Sequence, residues 1–260
     1  MLELTNLLIL GGGGLAAGIL AGFLGIGGGT IVVPILLALG YPPVQAVATS
    51  SLSIMITALS GSVQNWRMGY LKFKPVLSLG LPALITAQLG AYLADAVFSP
   101  RILLFAFAGL LLLNTYLVQL KKQIITHAPN TERSTDSGLN PIVAYAITGS
   151  LAGLLAGLFG VGGGVIMVPL QILLLNQPIK TAIQTSLGVV VITGLSACLG
   201  HALRGNVVWL TGVLLGIGGL LGSQFSTRFL PQLPDKVVSF AFRLLLVVLA
   251  IYVLKQAWQS

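Results

Sequence analysis

Two glycine-rich cassettes hold the residues of this chain best suited to bind a small solute. Gly25-Ile26-Gly27-Gly28-Gly29-Thr30 and Gly160-Val161-Gly162-Gly163-Gly164-Val165 each interrupt an uncharged apolar stretch, and each leads into a proline, Pro34 or Pro169. Missing side chains permit positive φ and close backbone approach. A helix that restarts after such a turn presents free N–H groups and the positive end of its dipole, which together suit an anion. Tight packing of helices through small residues is the other use of such glycines in a bilayer. A dinucleotide fingerprint is excluded, because no strand pattern precedes the glycines and no acidic residue follows at the required distance.

Hydroxyls and amides recur behind both cassettes. Thr49-Ser50-Ser51-Leu52 is answered by Gln184-Thr185-Ser186-Leu187. Polar side chains inside apolar helices must find partners. They either line a polar cavity and donate to an oxyanion, or satisfy themselves on a carbonyl one turn back. With one residue of slippage, Asn65-x-x-x-Gly69 matches His201-x-x-x-Gly205. A histidine near a helix end takes up or releases a proton around neutral pH, or serves as an interfacial hydrogen bonder. Arg243 follows Lys236 by seven residues, roughly 10 Å into a helix. There it either attracts an anion or snorkels to the headgroups. The candidate substrate-binding set is therefore Gly25, Gly27, Gly28, Gly29, Thr30, Thr49, Ser50, Ser51, Asn65, Gly160, Gly162, Gly163, Gly164, Gln184, Thr185, Ser186, His201 and Arg243.

Catalytic machinery is sparse. The chain has His127 and His201, five acidic residues and one cysteine, Cys198, with no metal-spaced cluster and no His-Glu-x-x-His. We expect no enzyme, no cofactor and no metal. Ser51 or Ser186 with His201 lacks any nucleophile motif.

The elements that must position these residues are apolar. Charged residues make up 7% of the chain, 56% is apolar and the mean hydropathy is +1.00, which excludes an ordinary globular or disordered protein. No Asp, Glu, Lys or Arg occurs from Leu4 to Trp66, or from Ser137 to Ile179. A helical crossing needs roughly 20 apolar residues, so the first run alone holds about three. Continuous apolar blocks disfavour a membrane β-barrel, and Glu3 in place of a basic start argues against a cleavable signal peptide. The net charge of +8 is spread between the apolar blocks, as in positive-inside loops, and forms no basic face for nucleic acid.

Apolar blocks fall at about 5–26, 30–40, 44–65, 75–95, 100–120, 141–160, 165–176, 181–203, 207–227 and 236–254. The blocks at 30–40 and 165–176 are too short to cross, and both follow the glycines. Ala17 to Leu52 aligns with Ala152 to Leu187 at an offset of 135 without a gap, with 16 identities in 36 positions. This is a duplication: a first transmembrane repeat over 1–120, a polar linker over 121–140 and a second repeat over 141–260. If the short blocks traverse, each repeat has five passages and the second is inverted; if they re-enter, each has four and the repeats run parallel. Ten passages place nine basic residues on one side and three on the other, against eight and four for eight passages, which favours ten with both termini outside. The expected fold is thus an all-α polytopic membrane protein of two homologous repeats, inverted, with broken or re-entrant helices after the glycine turns.

The doubled Gly-x-Gly-Gly-Gly-x-x-x-x-Pro cassette, each copy followed by Ser-Ser-Leu or Thr-Ser-Leu, resembles the TauE/SafE sulfite exporter family of permeases. The resemblance spans both halves and implies an inner-membrane carrier for sulfite, thiosulfate, sulfonates and related anions. It places the family signature on Gly25, Gly27 to Gly29, Pro34, Thr49 to Ser51 and their second-half partners. The expected function is secondary transport of a small anion by alternating access, with the lipid bilayer as surroundings and a proton or sodium ion as possible coupling partner. A channel or carrier for another anion such as a carboxylate, or a non-transporting subunit of a partner complex, are the rival readings. Direction, coupling ion and oligomeric state are not readable from the residues.

Overall fold

Prolines and glycines set the helix boundaries. Pro43 and Pro141 open helices at the first turn, where a missing N–H costs nothing. Asn140 caps the second of these by accepting from the Ile142 amide at 3.1 Å. Left-handed Gly28 and Gly163 restart the short helices after the cassettes. The computed structural model describes residues 4–99, 101–113 and 140–259. Of the expected linker, only Asn140 is among them, and the basic residues Lys121, Lys122 and Arg133 lie outside.

Every regular element among the described residues is helical. These are α1 (Leu4–Leu24), α2 (Gly29–Ala38), α3 (Pro43–Arg67), α4 (Phe73–Ala96), α5 (Arg101–Leu113), α6 (Pro141–Phe159), α7 (Gly164–Leu174), α8 (Ile179–Ala202), α9 (Trp209–Phe229) and α10 (Asp235–Gln259), with a 3₁₀ turn at Leu230–Gln232. Six of them, α3, α4, α6, α8, α9 and α10, are long and apolar enough to cross a bilayer. Helices α2 and α7 have 10 and 11 residues, too few to do so alone.

Glycines decide which helices touch. Side chains built on Gly14 and Gly18 of α1 would collide with the carbonyls of Leu215 and Gly219 in α9, and one on Gly22 would collide with Ser226. Side chains built on Gly149, Gly153 and Gly157 of α6 would collide with the carbonyls of Leu79, Ala83 and Ala87 in α4. These two pairs, α1 with α9 and α4 with α6, are the most extensive helix contacts of the fold. Each joins one half of the sequence to the other. Close backbone approach strengthens dispersion where no hydrophobic effect acts between helices.

The same contacts give the helix directions. Along α1 and α9 the paired numbers rise together, as they do along α4 and α6, so both pairs are parallel. Helices α3 and α9 are parallel too, with Leu52 beside Gly212 and Ile56 beside Gly216; so are α4 and α8, with Val76 beside Gly188 and Ile192 beside Gly80. Helices α3 and α8 are antiparallel, with Gly61 beside Leu187 and Met55 beside Gly194. Thus α1, α3 and α9 point one way and α4, α6 and α8 the other.

Since α1 and α3 share a direction, α2 must carry the chain back between them. It does: Gly28 lies against Ala17 and Ile35 against Gly13, so α2 runs antiparallel to α1. Polar contacts mark the two ends of the bundle. At one, Asp95 of α4 meets Arg204 at 3.7 Å and accepts from Asn206 at 2.8 Å. At the other, Lys180 of α8 pairs with Asp235 of α10 at 3.5 Å and donates to the Pro231 carbonyl at 3.0 Å.

Candidate functional site

The two cassettes meet in the middle of the bundle. Gly25, Gly27 and Gly28 have φ of 70, 72 and 84°, and Gly160, Gly162 and Gly163 have 64, 76 and 73°, a left-handed conformation costly for any residue with a Cβ. Gly29 and Gly164 are needed for a different reason. A Cβ on Gly29 would collide with the Gly160 carbonyl and lie 2.6 Å from Val161 Cα; one on Gly164 would collide with the Gly25 carbonyl and lie 2.9 Å from Ile26 Cα. The turns therefore touch backbone to backbone. Val190, near the middle of α8, lies beside both Gly27 and Gly162, and Ile54, near the middle of α3, beside Gly162. All the cassette glycines are buried.

Electrostatics follow from the two short helices. Because α2 and α7 both start at the crossing and run away from it, their N-termini converge. Neither has an acidic residue in its first turn or a side-chain cap on its starting glycine. In α2 the first amides bonded back to Gly28 are those of Ile31 and Val32, and in α7 the first bonded to Gly163 is that of Met167. Preceding amides have no carbonyl within the helix. Each N-terminus is equivalent to roughly half a positive charge. Thr30, in the first turn of α2, is fully buried, and its Oγ1 has no hydrogen-bond partner among the described residues. Pro34 and Pro169, inside α2 and α7, donate no bond to the carbonyls of Thr30 and Val165.

The downstream hydroxyls turn inward to the backbone. Ser50 Oγ donates to the Gly160 carbonyl at 2.7 Å, and Ser186 Oγ to the Gly25 carbonyl at 2.7 Å. Each long helix thus holds the first carbonyl of the opposite half's turn. Ser51 donates to Val47 in its own helix at 3.0 Å, and Thr49 Oγ1 accepts from the Val208 amide at 3.1 Å. Gln184 and Thr185 are buried on α8 next to Ile183, which touches Gly25. Ser50 and Ser186, one from each doublet, brace the glycine crossing.

Asn65 and His201 lie elsewhere. Each is eleven residues past Ile54 or Val190, about 16 Å along its helix. They occupy the same place in the same helix ending. The Tyr70 amide bonds the Asn65 carbonyl and that of Gly69 bonds Trp66; likewise Asn206 bonds His201 and Gly205 bonds Ala202. Gly69 and Gly205 are left-handed, with φ of 77 and 72°. This glycine-terminated C-cap explains the matched spacing. Both side chains are fully buried. His201 Nε2 lies 3.0 Å from the Gly157 carbonyl, while Asn65 has no hydrogen-bond partner among the described residues for either side-chain polar atom. Arg243 lies partly buried on α10, which packs against α1, α2 and α8.

Some structural polar residues carried a weak signal. Thr193 Oγ1 donates to the Gly162 carbonyl at 3.0 Å, and its spacing of seven from Ser186 puts both on one face of α8. Ser223 donates to Thr57 and Ser60 to Leu220, joining α3 to α9; Ser196 donates to Leu84 and Gln88 to Ser196, joining α4 to α8. The glycines at intervals of four in α1 and α6 are a small-residue pattern legible in the sequence. Among the described residues, no group of acidic, histidine and cysteine side chains could hold a metal ion.

Relatives match most of the chain in sequence. The chain is 28% identical over 258 residues to "Probable membrane transporter protein YunE" of Bacillus subtilis, covering 91% of this chain and 93% of that one. It is 28% identical to "Probable membrane transporter protein" of Xylella fastidiosa, covering 100% and 99%. An archaeal relative, "Probable membrane transporter protein MJ0441" of Methanocaldococcus jannaschii, is 28% identical over 72% of this chain and 69% of its own. The family profile described as Sulfite exporter TauE/SafE matches residues 10–253. With that match over nearly all of its length, and six helices fit to cross a bilayer, the chain belongs to the TauE/SafE sulfite exporter family and is an integral membrane protein of the transporter class.

Proposed function

We propose that this protein is a secondary carrier of small anions, a sulfur oxyanion or organosulfonate, in a bacterial inner membrane, and that the crossing of the two glycine turns is its binding site. The observation that carries the reading is the convergence of two helix N-termini, without an acidic residue in either first turn, on one buried point. Backbone amides there replace part of the anion's water, and the buried Thr30 hydroxyl adds a donor. The family description, which names sulfite export, supports the choice of a sulfur anion.

The helix directions support reading residues 1–120 and 141–260 as an inverted repeat joined by a linker over 121–140. Inverted repeats give a carrier two related states that open to opposite sides. The moving bodies are not the sequence halves, because α1 packs on α9 and α6 on α4. In our reading one body is α1, α3 and α9, the other is α4, α6 and α8, and they shear along the α3–α8 interface. The glycine turns lie across that interface, so their backbone amides and flexible φ are where the motion concentrates.

Counterflow of labelled sulfite in proteoliposomes tests this, with unlabelled thiosulfate, taurine, sulfoacetate and acetate as competitors. We expect saturable exchange inhibited by a sulfur anion. Folded protein that exchanges none of them overturns the assignment, and ohmic conductance without saturation replaces the carrier by a channel.

A further inference from the structure

We propose that His201 is a proton-binding site that controls access from the end of the bundle where α4 and α8 terminate. Its geometry fixes the tautomer. A carbonyl only accepts, so Nε2 carries the hydrogen toward Gly157 at 3.0 Å. Nδ1 then holds the lone pair, and it has no hydrogen-bond partner among the described residues. A proton from water on this side adds to Nδ1 and leaves by the same route. The side chain is fully buried, so the resulting imidazolium must find either a counter-ion or solvent.

The carboxylate at this end of the bundle is already engaged. Asp95 of α4 and Arg204, two residues past the end of α8, are the charged groups that act on the ring. Asp95 spends Oδ2 on Arg204 at 3.7 Å and Oδ1 on Asn206 at 2.8 Å. Those two contacts tie the corner between α8 and α9 to the end of α4. Arg204 also lies 5.4 Å over the Tyr92 ring of α4 and bonds the Gly200 carbonyl. The element that bonds the ring itself, α6, contributes only the Gly157 carbonyl, and Arg101 at the start of α5 is exposed. A charged His201 competes with Arg204 for one carboxylate, which loosens the corner and draws water toward the ring. Gly157 stands three residues before Gly160, so the loosening acts directly on the second glycine turn. Neutral His201 corresponds to the closed arrangement seen here. The equivalent position at the opposite end is Asn65, which has no proton to gain, so only one end of the bundle is switched.

The inference rests on the carrier reading for what the gate admits, but its test needs no substrate. Cys198 is the chain's one cysteine, lies three residues before His201 on α8 and is buried. Labelling of Cys198 by a membrane-impermeant maleimide is measured from pH 8 to pH 5.5 in the wild type and in His201→Asn. The ratio of the two rates removes the pH dependence that the thiol shares in both proteins. We expect that ratio to rise about tenfold toward the acid end of that pH range. A ratio that stays constant overturns the gate. Asp95→Asn is a second probe, since losing the carboxylate frees the corner and should let Cys198 label faster than in the wild type at pH 8; labelling no faster than the wild type in that variant also overturns it. Wild-type counterflow distinguishes the two proposals, because a carrier with a flat labelling ratio refutes the gate alone.

Discussion

The two glycine turns are near copies of each other, while the ends of the two long helices that flank them are not. At the turns, both halves use the same left-handed glycines, the same backbone-to-backbone contact and a serine from the other half on the first carbonyl. At the ends, α3 and α8 share a C-cap yet carry Asn65 and His201, and the ion pairs differ: Asp95 with Arg204 at the His201 end, Lys180 with Asp235 at the other. A centre that both halves build together must satisfy the same sterics from each side. The ends meet different faces of the bundle, so nothing forces them to match, and chemistry can differ there.

The comparison breaks first at the helix interfaces, where the largest effects are expected. Gly153→Leu in α6 would drive a side chain into the Ala83 carbonyl and the Thr86 hydroxyl, and Gly18→Leu in α1 into the Gly219 backbone. Overpacking commonly costs 1–3 kcal/mol where side chains yield, and backbone cannot yield, so about 3 kcal/mol or more is expected. Both variants should fail to give a monodisperse peak in size-exclusion chromatography. Gly12→Leu, in the same helix but with open space around it, should behave as the wild type. A well-behaved Gly153→Leu would mean that α4 and α6 do not pack as described.

The next variants separate the turns themselves. Alanine at Gly28 or Gly163 costs about 1–2 kcal/mol for its left-handed backbone. The surroundings then differ: a Cβ at Gly28 lies 2.9 Å from the Ala17 carbonyl, whereas one at Gly163 collides with that of Ala152. Gly163→Ala should therefore lower counterflow more than Gly28→Ala, which should lose about tenfold, with both proteins still inserted. Equal, wild-type rates for both would remove the turns from the transport path.

Much of this layout was legible in the residues. Among the described residues, apolar runs and the glycines located the helices to within a few positions, because an apolar run sets a helix's extent and glycine acts locally on φ. The doubled cassette marked two turns that meet. Two things were not legible. Ser50, Ser51 and Ser186 read equally well as donors to a ligand or to carbonyls, since a hydroxyl serves either and only its distance to Gly160, Val47 or Gly25 decides. The crossing of halves, α1 onto α9 and α4 onto α6, depends on which glycine face meets which, and small residues specify close approach without naming the partner.

The smallest expected effect tests the asymmetry of the ends. Asn65→His places an imidazole at the same C-cap position that His201 occupies, on a helix of opposite direction. The repeat offset sets Gly22 of α1 opposite Gly157 of α6, so the new ring has an equivalent carbonyl within its half to meet. Asn65 makes no side-chain hydrogen bond among the described residues, so the replacement breaks none and the protein should remain folded and active. What it lacks is a carboxylate in the place of Asp95, where the offset, 136 after the one-residue slippage, gives Pro231. Protonation there has no counterpart of the Asp95–Arg204 pair to divert, so it should slow exchange modestly at low pH, by about twofold, rather than open the second end. Counterflow measured with the pH varied on each side separately checks this. A gain of pH-activated access at the second end would show that a buried imidazole suffices. No gain would assign the switch to the combination of His201 with the Asp95–Arg204 pair, and so tie the functional difference between the ends to one carboxylate.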